Sequence, residues 1–219
     1  MINIDITNSS PPEQIVSASN LTINLPNKPK LYYRQGWQSW SLAAWTDPVS
    51  KFPVQKPKLL HAMQHDPNYA YHPFPNGSWV GAVEIENDKI LLLGSLDLDA
   101  HVELIDIKLR GWYESGIGKW FIGFGTEESV FSRYANLLGQ QLGYTNQKTA
   151  PRVWCSWYSL YTAIDESVLI KVINDLGDLP FDVIQIDDGW QTAIGDWEAN
   201  TKFPSGMAEL ANKIKLTGR

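Results

Sequence analysis

The chemistry of this chain concentrates in Ile184-Gln185-Ile186-Asp187-Asp188-Gly189-Trp190, followed closely by Gly195-Asp196-Trp197. Two adjacent carboxylates and an indole at the end of an apolar run have the chemistry of a sugar-binding corner. Carboxylates accept hydrogen bonds from vicinal hydroxyls, and Trp190 offers an apolar face to the ring C–H groups. The same residues also read as a turn with a capping Asp and a Trp packed in the core. The apolar run Val183 to Ile186 predicts a buried strand, which puts Asp187 and Asp188 at its C-terminal edge.

Tryptophan is the compositional anomaly. Ten Trp and nine Tyr occur in 219 residues, and the Trp cluster as Trp37, Trp40 and Trp45, then Trp154 and Trp157, then Trp190 and Trp197. Trp buries well in any core, so part of this set is structural. Polar-flanked Trp beside Ser, Gln, Asp and Gly also suits stacking on a flat, hydroxyl-rich ligand. Trp37 and Trp45 are read as packing residues. Asp196 reads either as a turn cap or as a ligand contact. Lys202 is read as a solvated loop charge, and Glu114, Glu127 and Glu128 as surface.

Bulk properties exclude several classes. Hydrophobic content of 43% with 19% charged residues is that of a globular protein. A net charge of −6 without a dense Lys/Arg run argues against nucleic acid or an anionic membrane surface as partner. The start, Met1-Ile2-Asn3-Ile4-Asp5-Ile6, lacks the pattern of a signal peptide, and no segment reaches the roughly 18 apolar residues of a membrane span. The single cysteine, Cys155, forms no intramolecular disulfide, which fits a reducing cytoplasm, and it is read as a small buried residue, with a place facing the pocket as the alternative. His61, His65, His72 and His101 show no zinc-ligand spacing, and no cofactor motif is found.

Two halves must position these residues. Residues 1 to 125 read as a β-sandwich. Ile4 to Thr7, Leu21 to Leu25 and Val102 to Leu109 alternate as strands, and Trp79 to Gly94 reads as a hairpin turning at Asn87-Asp88. The Pro-rich stretches Pro53 to Pro57 and Pro73 to Gly77 read as loops. Residues 126 to 150 predict a linking helix and loop, with Thr126 as N-cap and an end near Gly143. Residues 151 to 219 predict strand, helix, strand, helix. Asp165 caps the first helix, Gly177 ends it, and the last runs from Met207 to Gly218. The expected class is therefore multidomain, β plus α/β. Two βα units cannot close a barrel of about eight, so the chain reads as C-terminally incomplete.

Taken in order, Trp154-Cys155-Ser156-Trp157-Tyr158, Asp187-Asp188-Gly189-Trp190-Gln191, Gly195-Asp196-Trp197 and Lys202-Phe203-Pro204-Ser205-Gly206 resemble the bacterial α-galactosidases grouped with raffinose synthases in glycoside hydrolase family thirty-six. Gly36-Trp37-Gln38-Ser39-Trp40-Ser41 resembles a motif of that family's sandwich domain, so the likeness runs from about residue 30 to 219. The resemblance implies a β-sandwich followed by the first two βα units of a (β/α)₈ barrel, and retaining hydrolysis of terminal α-galactosides. It implies that Asp187 and Asp188 hold the galactose hydroxyls at positions four and six. Trp157, Tyr158 and Trp190 would line the same pocket, and Trp40 would reach the sugar from the sandwich. A full-length relative would also form homo-oligomers.

Retaining hydrolysis needs two carboxyls roughly 5 to 5.5 Å apart on opposite sides of the scissile bond. Consecutive aspartates point to one side, so Asp187 and Asp188 cannot divide those roles. The family's nucleophile and acid/base lie after later barrel strands, without counterparts here, and no residue of this chain is assigned a catalytic role. Inactivity of the chain alone is the resulting expectation. The alternatives are a non-catalytic carbohydrate-binding module and galactosyl transfer to a sugar acceptor.

Overall fold

The structure is a computed structural model, and it describes residues 1–6, 13–39, 41–49, 66, 68–69, 72–86, 88–144 and 149–219. The chain divides into two compact units, Met1–Asn146 and Gln147–Arg219.

The first unit holds two facing sheets. One has five strands in the order β1 (Ile2–Asp5), β3 (Asn20–Asn24), β10 (Lys108–Tyr113), β9 (Ala100–Ile105) and β6 (Asn76–Ser78). The other has six, in the order β2 (Gln14–Ala18), β11 (Gly118–Gly125), β8 (Lys89–Ser95), β7 (Val80–Glu86), β4 (Tyr32–Arg34) and β5 (Ala44–Thr46). Alternation sends Leu21, Ile23, Val102, Leu104 and Leu109 from the first sheet to meet Tyr32, Val83, Leu91, Leu93, Trp120 and Ile122 from the second. Trp120 is fully buried there, with its indole N–H satisfied by the Ala18 carbonyl at 3.1 Å.

β8 is apolar throughout because both of its faces are covered. Leu91 and Leu93 face the other sheet, while Ile90 and Leu92 lie under helix α1 (Glu127–Gln141) with Val130 and Tyr134. The Tyr134 ring lies so close to Gly94 that an added Cβ would come within 2.4 Å of it, and Tyr134 Oη donates to the Ser95 carbonyl at 2.8 Å. Thr126 caps this helix, accepting from the Ser129 amide at 3.4 Å, and Gly143 follows its end at φ 74°.

Two sequence readings change here. The run Val102 to Leu109 is not one strand: Asp106, at φ 53°, reverses the chain, and β9 pairs antiparallel with β10. Asn76 and Gly77 belong to a strand rather than a loop, pairing with Glu103 and Val102. Trp79, at φ 66°, then lets the chain pass from β6 in one sheet to β7 in the other. Pro53 to Pro57 lies outside the described residues.

The second unit pairs β12 (Val153–Cys155) with β13 (Val183–Gln185) in parallel. Between them run α2 (Trp157–Leu160) and α3 (Glu166–Asp175), and α4 (Gly206–Leu216) follows β13. Ile164, Leu169, Ile173, Ile184, Phe203 and Leu210 form its core. Asp165 caps α3 as expected, accepting from the Val168 amide at 2.8 Å. Among the described residues no helix is long and apolar enough to cross a membrane.

Candidate functional site

The parallel pairing of β12 with β13, Cys155 opposite Gln185, brings both C-terminal strand ends to one edge. The loops that leave this edge carry the residues selected from the sequence. Ser156 joins them: it is fully buried, its amide donates to the Gln185 carbonyl at 3.1 Å, and its Oγ accepts from the Asp187 amide at 2.9 Å.

Asp187 and Asp188 are oriented by neutral groups. Asp187 Oδ1 accepts from the Asp188 amide at 2.8 Å, and its Oδ2 accepts from Gln185 Nε2 at 2.9 Å and from the Cys155 thiol at 3.5 Å. The Asp188 amide, with smaller help from Cys155 and Gln185, holds the Asp187 carboxyl below its ordinary range. Asp188 Oδ1 accepts from the Gly189 amide at 2.8 Å and from Gln191 Nε2. Gly189 sits at φ 107°, and a Cβ there would come within 2.9 Å of the Thr162 Cα, so glycine lets the turn lie against the loop after β12. Lys202, exposed as expected of a solvated loop charge, also joins these loops by donating to the Thr162 carbonyl at 3.0 Å.

The aromatic residues frame two open depressions. The larger, about 390 Å³, has Asp187, Asp188, Trp190, Gln191, Asp196 and Trp197 in its wall. The smaller, about 260 Å³, is lined by Cys155, Trp157, Tyr158, Gln185 and Asp187 among others. Asp187 and Gln185 belong to both. Trp197 is 87% exposed and lies 5.9 Å from Trp190, while Tyr158 is 83% exposed. Trp157 is braced edge-on by Tyr161 at 5.2 Å, and Tyr161 holds a left-handed backbone at φ 50°. Asp196 accepts from Thr192 Oγ1 at 3.1 Å within its turn, and it lines the larger depression.

The edge therefore gathers Asp187, Asp188, Trp190, Trp157 and Tyr158. Trp40 lies outside the described residues. Trp45 packs on Tyr33, and its Nε1 donates to Glu127 at 3.0 Å, giving that carboxylate a partner the sequence did not suggest. Sequence reasoning missed Gln185, Gln191 and Ser156, and Cys155 follows the less favoured of its two readings, half-buried with its thiol on Asp187 and lining the smaller depression. One of these was signalled: Gln185 and Asp187 are two apart, on the same side of an extended chain.

Chemically, the edge offers hydroxyl acceptors beside apolar ring faces. Its acids are Asp187, Asp188 and Asp196, and the first two are consecutive. Among the described residues no cluster of three His, Cys, Asp or Glu could hold a metal ion.

No protein-family model matches the sequence. A probable α-galactosidase G of Aspergillus terreus is 31% identical over 70 residues, which covers 27% of this chain and 10% of that protein. The α-galactosidase of Thermus thermophilus, solved with p-nitrophenyl α-D-galactopyranoside, is 41% identical with a TM-score of 0.84, over 95% of this chain and 43% of that one. The same enzyme solved with stachyose gives 41% and 0.82, over 93% of this chain and 44% of the other. An α-galactosidase from Lactobacillus brevis, 14% identical with a TM-score of 0.55, covers 95% of this chain and 32% of its own, a likeness of fold alone. The chain thus spans less than half the length of these solved structures. Over nearly all of its own length it is similar to the N-terminal portion of the α-galactosidases of glycoside hydrolase family thirty-six.

Proposed function

We propose that this chain supplies the galactose-holding part of an α-galactosidase-type glycoside hydrolase, with β12 and β13 as the first two strands of a (β/α)₈ barrel. The observation that carries this reading is the pair Asp187 and Asp188 at the joined C-terminal ends of two parallel strands, where ligands of such barrels sit. In this reading the hydroxyls at positions four and six of galactose donate to the two carboxylates, and Trp190, Trp157 and Tyr158 pack against its C–H face. The Thermus relative, solved with an aryl α-galactoside and with stachyose, supports a galactoside as the ligand.

The chemical step is assigned to carboxyls other than Asp187 and Asp188. A retaining mechanism needs carboxyls on both sides of the scissile bond, whereas Asp187 and Asp188 are consecutive and tied together, the Asp187 carboxylate accepting from the Asp188 amide. Binding without turnover is therefore expected of the chain alone, which is also how a carbohydrate-binding module behaves. Calorimetric titration with galactose, melibiose and glucose, paired with an aryl α-galactoside assay, tests the reading. Saturable binding that prefers the galactosides, with no hydrolysis, supports it. Sustained turnover abolished by substitution of Asp187 would overturn the division of labour.

A further inference from the structure

Each carboxylate of the pair is held by a glutamine to which the motif likeness gives no role. An ionised carboxylate offers about four acceptor sites, two on each oxygen. Asp187 Oδ2 has both filled, by Gln185 Nε2 and the Cys155 thiol, and Oδ1 has one filled by the Asp188 amide. Asp188 Oδ1 has both filled, by the Gly189 amide and Gln191 Nε2, while Oδ2 has no partner among the described residues. Gln191 is itself fixed, because its Oε1 accepts from the Gly189 amide at 3.2 Å.

What stays open is one site on Asp187 Oδ1 and the whole of Asp188 Oδ2. We propose that Gln185 and Gln191 are positioning residues that select this pattern, deciding which carboxylate oxygen each donating hydroxyl of a galactoside meets. The inference rests on the reading of the pair as the sugar holder. Its physical basis is that the terminal torsion of Asp is broad and nearly two-fold, so rotamer preference alone does not set the carboxylate plane. Fixed donors set it instead. Both clamps are neutral amides, which orient the carboxylates without neutralising them as Arg or Lys would. Gln185 also lines both depressions, so its loss disturbs the wall they share.

The test uses the 219-residue chain with Q185L and Q191L, which keep similar volume and remove the donor. Galactose binding is measured by calorimetry in these variants, in D187A and D188A, and in the doubles Q185L/D187A and Q191L/D188A. Each glutamine variant should weaken binding about tenfold, the lower end for a hydrogen bond to a charged group, and should add nothing once its own aspartate is gone. An undiminished affinity overturns the proposal. So does an equal loss in the aspartate-free background, because the glutamine would then touch the sugar itself. A carboxyl carbon-13 titration of Asp187 without sugar separates the clamp from the binding reading. Q185L should raise the pH at which Asp187 titrates, and an unmoved titration overturns the clamp. If the wild-type chain binds no galactose but the titration moves, the sugar reading fails and the clamp stands. Should Q191L not fold, the more exposed Gln185 carries the test.

Discussion

Two carboxylate centres show how differently one functional group is used in this chain. Glu103, on the outer face of the five-stranded sheet, is 3% exposed and lies between His72 Nε2 at 2.5 Å and Arg110 at 3.0 Å. Beside it His101 is buried, stacked on Tyr69 at 3.6 Å, and burial, with the charges of His72 and Arg34, pushes its imidazole down to about 3. Asp187 and Asp188 are half-buried, and among the described residues their carboxylates meet only amides and a thiol. A carboxylate enclosed between a guanidinium and an imidazole has its charge spent inside the fold. One oriented by neutral donors keeps its charge and open acceptor sites for a ligand.

The tryptophans divide in the same way, and they give the largest expected effect. Trp120→Ala removes a fully buried indole and its bond to Ala18, and should cost the sandwich about 4 kcal/mol in denaturant unfolding. Trp197→Ala, at an exposed position, should change stability by less than about 0.5 kcal/mol while weakening galactose binding. Equal stability losses in the two variants would erase the distinction.

A second pair sharpens the comparison at the carboxylates. Glu103→Gln should cost about 2 kcal/mol, less than a fully buried pair because His72 and Arg110 are partly exposed, and should leave galactose affinity unchanged. Asp188→Asn should leave unfolding nearly unchanged and weaken galactose binding by about tenfold or more. A Glu103 variant that lost sugar affinity to the same extent would break the separation.

Smaller effects test the scaffold of the second unit. Asp165→Ala removes the α3 cap and should lower the unfolding midpoint, read from thermal or denaturant melting. Asp182, paired with Arg152 at 2.8 Å and hydrogen-bonded by its amide, has its carboxyl lowered to about 2. Because the folded value lies below the ordinary one of 3.8, its contribution is complete above about pH 4 and lost as the pH falls toward 2. Asp182→Asn should flatten that part of the acid limb in melting curves taken across pH. An unchanged limb would assign the acid loss to other groups.

The legible parts of this chain were those written in local chemistry. Thr126 and Asp165 announce their helices, Gly143 and Gly177 end them, and the positions of Asp187 and Asp188 follow from an apolar run that stops at Ile186. What stayed hidden depends on partners far away in sequence. The turn at Asp106 interrupts a run whose apolar alternation looks continuous, and only pairing of β9 with β10 reveals it. β11 is apolar on both faces because a sheet covers one and α1 the other, which leaves no alternation to read. Within the site, Ser156 and Cys155 meet Asp187 across more than thirty residues of chain, contacts created by the parallel pairing of β12 and β13.

The central claim is that Asp187 and Asp188 hold a galactose. Calorimetric titration of the chain and of its Asp188→Ala variant with galactose and with glucose, which differs only in the orientation of the hydroxyl at position four, tests it most directly. Saturable binding of galactose at one site per chain is predicted, clearly weaker for glucose and lost in the variant. Absence of galactose binding, or binding that survives Asp188→Ala unchanged, would contradict it.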